Sequence, residues 1–337
     1  MVIVNNARRL LSLLVVCLGL AIVSACSLAA RHADPADPAA LRGFAEHMAS
    51  RHGLDADRVE ALLRDEARHQ PDIIEAISSP AEALPWYRYR AIFVTDSRIA
   101  AGVEYWARHA DWLAAAQARY GVPPEVVVAI IGVETRYGRY RGRHRVIDAL
   151  RTLGFAYPPR ADFFRAELES FLLLASEEDI EPTTALGSYA GAMGVPQFIA
   201  SSYRAYAVDF NDNGRRDLFN EAADAIGSVG HYLARHGWQA DAPVAVRAQV
   251  DGTAWQAFLR PGLEPVDRVA ALERAGVRPE RTLEGNRPAR LLALAQARGT
   301  DYWVTLENFY AITRYNHSAL YAMAVHQLAS AIREARP

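Results

Sequence analysis

The sequence predicts a mainly helical protein that carries a small mixed α/β insertion towards its C-terminal end. Apolar residues recur at helical spacing over long stretches, and glycines such as Gly121 stand directly after these stretches as helix stop signals. Late in the chain Val244, Val246, Ala248 and Val250 alternate with other residues, which is typical of a strand. The chain of 337 residues is long enough to bury a large core.

The helical pattern divides the chain into successive elements. Helices are predicted over residues 41–50, 57–77, 97–120, 162–176, 222–236 and 307–333, the last with a break near Tyr315 and Asn316. A further helix carries Glu134 between start signals at Pro123 and Pro124 and a stop signal at Gly138, although its β-branched run alone would also suit a buried strand. Residues 290–294 and 302–305 are predicted as short strand partners of the alternating segment, within a mixed insertion over residues 241–305.

The N-terminus has the pattern of an export signal. Arg8 and Arg9 precede an apolar run at residues 10–23 that is too short for a membrane span. Small residues directly before Cys26 resemble a bacterial lipobox, which implies lipidation of Cys26 and, with Ser27 following, sorting to the outer membrane. The alternative is an ordinary signal peptide with a chance cysteine. We therefore expect a lipoprotein signal peptide over residues 1–25.

The cysteines and the charge exclude several classes of function. Cys17 would be removed with the signal peptide and Cys26 would carry the lipid, so the mature domain would have no disulfide, cysteine metal site or thiol nucleophile. The 37 basic residues nearly balance 39 acidic ones. This balance gives no support for nucleic-acid binding, which usually requires a strongly basic face.

Glu134 is the most informative single residue. Residues 126–133 carry no polar side chain, and Glu134 then follows one turn before Gly138. Apolar surroundings and the negative end of the helix dipole both disfavour a charged carboxylate, although Arg136 and Arg139 would oppose this effect if they point inward. A carboxyl kept protonated near neutral pH is suited to general acid catalysis. The alternative is a solvated glutamate or the partner of an arginine.

Four segments, taken in order, carry a resemblance to a known family. They are VETRYG at 133–138, GSYAGAMG with PQF at 187–198, the Asp/Asn-rich stretch with AIGS at 209–228, and ITRYNHS at 312–318. Together they resemble the membrane-bound lytic murein transglycosylase B family of lysozyme-like enzymes that cleave peptidoglycan. The resemblance implies a lysozyme-like α+β core, with an N-terminal helical region and the small mixed insertion.

The resemblance also implies roles for individual residues. Glu134 would be the catalytic acid. The residues that would contact glycan or peptide are Tyr89, Arg160, Ser188, Gln197, Tyr315 and Asn316. Phe163 departs from the family pattern, because a relative has tyrosine there, and so a hydroxyl contact would be missing.

The implied reaction needs only one carboxylate. Ordinary glycosidases use two, and the acids between Glu167 and Asp179 are expected to form a solvated, charge-rich helix face. In the family's reaction one glutamate protonates the bond between N-acetylmuramic acid and N-acetylglucosamine. It then takes the proton of the muramic 6-hydroxyl, which closes a 1,6-anhydro ring. Gly191 and Gly194 would either let the backbone approach the sugar or serve only as turn residues.

The segment from Asp209 matches the opening of an EF-hand calcium loop. Asp209, Asn211 and Asn213 stand at positions one, three and five, a glycine follows, and Arg215 could offer its backbone carbonyl. Position twelve departs from the motif, because it is an asparagine. By the resemblance the loop is longer, 209–224, and Asp224 closes it around a structural Ca²⁺. The alternative is a metal-free surface turn.

These expectations define a domain plan and a function. After the signal peptide we expect a tether over residues 26–40, a helical domain over 41–116, a catalytic core over 117–240 plus 306–337, and the insertion over 241–305. The expected function is a lytic transglycosylase, lipid-anchored at the periplasmic face of the outer membrane and acting on glycan strands, with cell-wall synthesis proteins as candidate partners. A hydrolytic muramidase and a non-catalytic peptidoglycan-binding lipoprotein remain as alternatives.

Overall fold

A computed structural model describes residues 36–78 and 84–336 of the chain. Two compact units are distinguished, one ending at Arg64 and the other beginning at Asp65. The predicted signal peptide and Cys26 lie outside the described residues. The expected domain boundaries remain predictions.

The described part of the first unit contains two helices, α1 (Pro38–His52) and α2 (Ala56–Ala61). The π-helical turn at Leu62–Glu66 begins in this unit and ends in the second. Helix α1 begins three residues inside the predicted tether, where the Asp37 side chain accepts a hydrogen bond from the backbone N–H of Ala39. Arg42 joins the two helices through the Asp57 and Glu60 carboxylates.

The second unit contains the remaining helices. In its N-terminal part they are α3 (Pro71–Ile77), α4 (Trp86–Phe93), α5 (Asp96–Arg108), α6 (Ala110–Tyr120), α7 (Pro124–Thr135), α8 (Val146–Ala156) and α9 (Ala161–Glu177). Further along the chain they are α10 (Ala200–Tyr206), α11 (Ala222–Arg235), α12 (Val269–Arg274), α13 (Glu307–Tyr315) and α14 (Ala319–Ala335). The mainly helical fold is therefore confirmed.

Two predicted helices are wrong in extent. The stretch 57–77 is interrupted by the π-helical turn and a non-helical link before Pro71, which starts a new helix. The stretch 97–120 is divided at His109, whose backbone (φ −120°, ψ 28°) is not helical. The helices α4, α8, α10 and α12 were not among the predicted helices. None of the described helices is both long and apolar enough to cross a membrane.

Helix α7 is the centre of the helical core. Residues 127–132 are all buried, and α14 packs along the helix. This all-round burial explains why the segment lacks an apolar stripe and reads as a continuous apolar run.

The predicted insertion forms an antiparallel sheet of five strands. In chain order the strands are β3 (Ala245–Val250), β4 (Asp267–Arg268), β5 (Val277–Pro279), β6 (Pro288–Ala295) and β7 (Thr300–Thr305), and in space the order is β4-β6-β7-β3-β5. Helix α12 and one sheet face share a separate apolar cluster. The two short strands β1 (His144–Arg145) and β2 (Leu186–Gly187) form a separate antiparallel pair, and Ser188 directly follows β2.

Candidate active site

Glu134 lies in the last turn of α7. The helix ends at Thr135, because Arg136, Tyr137 and Gly138 all adopt left-handed backbone conformations with φ of 48°, 62° and 83°. Left-handed non-glycine residues are strained, and they persist where surrounding contacts hold them, often at functional sites. The turn therefore ends the helix abruptly, one residue beyond Glu134.

Side-chain hydrogen bonds hold this turn in place. The Thr135 hydroxyl donates to the Val195 carbonyl at 2.9 Å and accepts from the Gly138 N–H at 2.9 Å. The Tyr137 hydroxyl donates to the Arg98 carbonyl at 2.7 Å. The end of α7 is thus fixed to α5 on one side and to the 195–198 segment on the other.

Gly132 makes room for Tyr137. A Cβ atom at Gly132 would lie 2.6 Å from the Tyr137 hydroxyl oxygen, and one at Gly102 would lie 2.7 Å from it. Contacts this close do not occur between real side chains. The glycine in this apolar helix is therefore explained by the Tyr137 ring, which packs against it and braces the turn after Glu134.

The surroundings of Glu134 favour its protonated form. Burial raises the pKa of its carboxyl to about 7, and a hydrogen bond from Tyr321 opposes this shift. The Tyr321 hydroxyl donates to Glu134 Oε1 at 2.5 Å. Arg136 and Arg139 are exposed, so they do not lower the pKa as they would if they pointed inward. At neutral pH the protonated and charged forms are therefore both well populated.

Aromatic rings surround this carboxyl. The rings of Tyr315 and Tyr321 are stacked with centroids 6.4 Å apart, and Tyr315 also packs against Phe198 and Tyr232. The Tyr315 hydroxyl donates to the Pro196 carbonyl at 2.6 Å. Burial, and then the nearby Glu134 charge, hold the pKa of Tyr315 and Tyr321 well above the ordinary value. Both hydroxyls therefore remain neutral hydrogen-bond donors.

Ser188 and Gln197 lie in a tightly folded loop. The Ser188 hydroxyl oxygen accepts from the N–H groups of Ala190 (3.2 Å) and Ala192 (3.0 Å). Gln197, with a left-handed φ of 53°, donates its side-chain amide to the carbonyls of Gly194 (2.9 Å) and Arg141 (3.2 Å). Both side chains shape the loop beside Glu134's turn.

The two glycines of this loop are explained by local packing. Gly191 has φ 80°, and a Cβ there would lie 2.6 Å from Leu150; Gly194 has φ 74°, and its Cβ would lie 2.5 Å from the Leu218 carbonyl oxygen. Of the two interpretations left open by the sequence, turn geometry accounts for both glycines.

Three carboxylates on α9 and at its end form hydrogen bonds or ion pairs with residues other than Glu134. The prediction of a solvated face is wrong for Glu167, which is buried and accepts from the Ser201 N–H (3.0 Å) and hydroxyl (2.6 Å) at the start of α10. Glu177 pairs with Arg204 at 2.7 Å, and Glu178 pairs with Arg216. Among the described residues, the side chain that hydrogen-bonds Glu134 is a tyrosine, and no carboxylate contributes to its pKa.

The Asp209 loop gathers oxygen atoms. The Asp209 carboxylate accepts from the N–H groups of Asn213 (3.0 Å) and Gly214 (2.7 Å), and the Asn211 and Asn213 amides both donate to Glu221. Gly214 has φ 89°, a conformation suited to the glycine of a calcium loop. The loop therefore has the shape and most of the oxygen donors that Ca²⁺ prefers.

Asp224, the expected closing ligand of the loop, is buried and hydrogen-bonded to the backbone. Its carboxylate is fully buried and accepts from the N–H groups of Phe210 (2.8 Å) and Asp217 (2.7 Å). Burial raises its pKa, and the Glu221 and Asp209 charges add to the effect. Among the described residues, however, the oxygen atoms of these three carboxylates are not gathered closely enough to form a metal-ligand cluster. Glu221, at position thirteen, is a second candidate for closing the loop, and sequence reasoning missed it.

The chain matches a model of the transglycosylase SLT domain over residues 36–330. It is 42% identical over 303 residues to the membrane-bound lytic murein transglycosylase B of Escherichia coli (strain K12), covering 87% of this chain and 82% of that protein. The chain belongs to the SLT transglycosylase family. It is a lytic transglycosylase that acts on peptidoglycan.

Solved structures of lytic transglycosylases share the fold. Soluble lytic transglycosylase SltB1 from Pseudomonas aeruginosa has 46% identity and a TM-score of 0.83, covering 88% of this chain and 98% of that one. The Escherichia coli lytic transglycosylase Slt35 in complex with calcium has 42% identity and a TM-score of 0.81, covering 88% and 93%. The lysozyme-like character of the transglycosylase is confirmed.

The remaining predicted site residues of the transglycosylase fall in two groups. Tyr89 is buried on α4 and lies near enough to affect the pKa of Tyr321. Asn316 directly follows α13 and Tyr315. Arg160 is exposed in a separate turn, with its guanidinium 4.3 Å from the centre of the Phe163 ring. Tyr89 and Tyr315 thus lie close enough to the Glu134–Tyr321 pair to interact with it. The roles of Asn316 and Arg160 remain predictions.

Tyr321 is the site residue that sequence reasoning missed. It lies at the start of α14, just after the ITRYNHS segment, and it looks like an ordinary core aromatic in sequence. A tyrosine at a buried helical position is more often core than site. Only the packing of α14 against α7 shows that its hydroxyl meets the Glu134 carboxyl.

Proposed function

We propose that this transglycosylase cleaves the β-1,4 bond between N-acetylmuramic acid and N-acetylglucosamine with Glu134 as its single general acid and base, releasing a 1,6-anhydro-muramic end. The observation that carries the proposal is the Glu134 carboxyl, which has a pKa of about 7 and a tyrosine, not a second carboxylate, as its partner.

The reaction needs one group that gives a proton and then takes one. Protonated Glu134 donates its proton to the glycosidic oxygen, and the bond to the muramic anomeric carbon breaks with the electron pair leaving on that oxygen. The Glu134 carboxylate then accepts the proton of the muramic 6-hydroxyl as this oxygen bonds to the anomeric carbon. No water is consumed, and the acid is regenerated. A pKa near the working pH serves both halves of the cycle.

Other residues assist this cycle. The Tyr321 hydroxyl occupies Glu134 Oε1, which leaves the other carboxyl oxygen to carry the transferred proton. An internal hydroxyl reacts faster than water once it is aligned, because its effective concentration is very high. We assign that alignment to the loop of Ser188 and Gln197 and to Tyr89, Tyr315 and Asn316, with Arg160 as an outer contact to glycan or peptide.

Product analysis separates this proposal from its alternatives. Purified sacculi are digested with the full chain, and the muropeptides are analysed by mass spectrometry. Ends lighter by one water, as in an anhydro ring, support the transglycosylase reaction. Reducing ends instead show a hydrolytic muramidase, and undigested sacculi with bound protein show a peptidoglycan-binding lipoprotein. The same digestion with Glu134→Gln tests whether this residue is the acid.

The Asp209 loop would hold a structural Ca²⁺. The Asp209, Asn211 and Asn213 side chains and the Arg215 carbonyl would provide ligands, with Asp224 or Glu221 as the closing carboxylate. The ion supplies positive charge that screens these crowded acids, and it contributes no group to the reaction. Calorimetric titration with Ca²⁺ tests this site directly. No binding heat at millimolar Ca²⁺ would identify the loop as a plain turn.

The E. coli relative is named as membrane-bound. We infer that this chain is anchored at the periplasmic face of the outer membrane by a lipid on Cys26, which the lipobox pattern supports. Cell-wall synthesis proteins are candidate partners at that surface. Membrane fractionation, with mass spectrometry of the mature N-terminus, tests the anchor; an unmodified N-terminus other than Cys26 would contradict it.

A further inference from the structure

A cavity of about 540 Å³ opens beside the catalytic turn. Tyr203 and residues from three segments of the second unit line it: residues 138–142 after Glu134, residues 178–186 before Ser188, and residues 215–220 of the Asp209 loop. A volume of this size lies in the range of small-ligand sites. None of the residues predicted to contact the glycan lines it, and Arg215 was named only for its backbone carbonyl.

The walls of this cavity are unusually rich in arginine. Arg139, Arg141, Arg215 and Arg216 all line it, against the carboxylates of two acidic residues. One of those acids, Glu178, is already paired with Arg216. The positive charge of the cavity therefore exceeds the negative charge.

Asp217, the second acidic residue of the cavity, also has hydrogen-bond partners. The Asp217 carboxylate accepts from the N–H groups of Phe219 (2.8 Å) and Asn220 (2.9 Å), so it caps the turn that forms one wall. The exposed guanidinium groups of Arg139 and Arg215 form no ion pair with a carboxylate in the part of the chain that the structure describes. These two groups are available for an anionic ligand.

Arg141 connects the walls. Its guanidinium donates to the carbonyls of Gly138 (3.1 Å) and Phe219, and its own carbonyl accepts from the Gln197 amide at 3.2 Å. The cavity is thus joined to the catalytic turn, to the Asp209 loop and to the Gln197 loop by direct hydrogen bonds. A ligand held there would lie next to the turn that follows Glu134 and next to the Gln197 loop.

We propose that this cavity binds a free carboxylate of the peptide stem carried by the muramic sugar. The proposal rests on the proposed function, since it names a further part of that substrate. Guanidinium groups bind carboxylates through paired, charge-assisted hydrogen bonds, and each stem ends in a carboxylate. Arg139 and Arg215 would bind the stem carboxylate, and Arg141 would fix the positions of two cavity walls through its hydrogen bonds to Gly138 and Phe219.

The test measures binding of two matched ligands to the full chain by calorimetry. One is a disaccharide–pentapeptide muropeptide, and the other is the same molecule with its carboxylates amidated. We expect amidation to weaken binding to the wild type, and Arg139→Gln and Arg215→Gln each to weaken the free-carboxylate ligand by about three- to tenfold. Arg298→Gln, the same change at an exposed arginine in the β6–β7 turn, should bind like the wild type.

Further controls make the result specific. The affinity for the free carboxylate should fall as salt is raised, because exposed charges are screened. Arg215→Gln keeps the backbone carbonyl, so an unchanged calcium response in thermal unfolding would show an intact loop. Inorganic phosphate should compete only weakly. Equal binding of the two muropeptides, equal losses in Arg298→Gln, or phosphate binding as tight as the muropeptide would each overturn the proposal.

Failure of this proposal can be told apart from failure of the proposed function. If the wild type releases anhydro ends from peptide-free glycan strands but binds both muropeptides equally, only the carboxylate site is wrong. If it releases none, the assignment of the reaction is wrong. The carboxylate site then fails with it, because the ligand was inferred from that reaction.

Discussion

Glu134→Gln should abolish glycan cleavage and at the same time stabilise the fold at neutral and alkaline pH. Glutamine has the same shape and can still accept the Tyr321 hydrogen bond, but it has no proton to give. Loss of the one acid should lower the rate at least about a hundredfold. The stability gain follows from the pKa shift of the glutamate, because a folded state that favours the protonated form resists ionisation.

The size of the gain can be worked from the structure. Burial raises the Glu134 pKa from 4.5 to about 7. Between these values the folded chain binds more protons than the unfolded chain, so wild-type stability falls as pH rises through this window and then levels off. Since one pKa unit corresponds to about 1.4 kcal/mol, the full loss is about 3 kcal/mol. Glu134→Gln has no ionisable group at this position, so its stability does not fall in this window. The free energy of unfolding of the variant should therefore exceed that of the wild type by near zero at about pH 4 and by about 3 kcal/mol at about pH 8.

The assay is urea unfolding of wild type and variant at several pH values, followed by circular dichroism. Glu104→Gln, the same change at an exposed helical glutamate, is the matched control and should follow the wild type at every pH. Parallel stability curves for wild type and Glu134→Gln would refute the reasoning, because they would show that Glu134 ionises in the folded chain as easily as in the unfolded one.

Four further predictions concern Tyr321, Gly132, the Asp209 loop and Cys26. Tyr321→Phe removes the hydrogen bond that lowers the Glu134 pKa, so this pKa should rise and the alkaline limb of the pH–rate profile should move to higher pH. An unchanged alkaline limb would contradict this. Gly132→Ala should destabilise the fold by about 1–3 kcal/mol in urea through its clash with Tyr137, whereas Gly43→Ala, in an open helical position, should be neutral or mildly stabilising. Ca²⁺ at a hundredfold excess over its dissociation constant should stabilise the fold by about 2.7 kcal/mol; Asp209→Ala should remove this gain in calorimetry, and comparison of Glu221→Gln with Asp224→Asn should show which carboxylate closes the loop. Cys26→Ser should release the protein from the membrane fraction, and persistence there would contradict the lipid anchor.

The sequence by itself determined the helical class, the acid at the end of an apolar helix, the family and the sheet-forming insertion. These features are local or short-range: helix end signals, strand alternation and contiguous motifs are all written along the chain. The break after Tyr315 and the helix 307–333 were likewise visible, and the structure confirms them as α13 and α14.

Only the tertiary structure decided the chemistry around Glu134. Tyr321 lies 187 residues away in sequence, and its hydroxyl reaches Glu134 because α14 packs along α7. The outward position of Arg136 and Arg139, the burial of Glu167 and the contacts of Glu221 likewise depend on which elements meet. A pKa is set by the water, charges and hydrogen bonds around a group. Around Glu134 these come from distant segments, so its proton affinity is a property of the packed core and not of its motif.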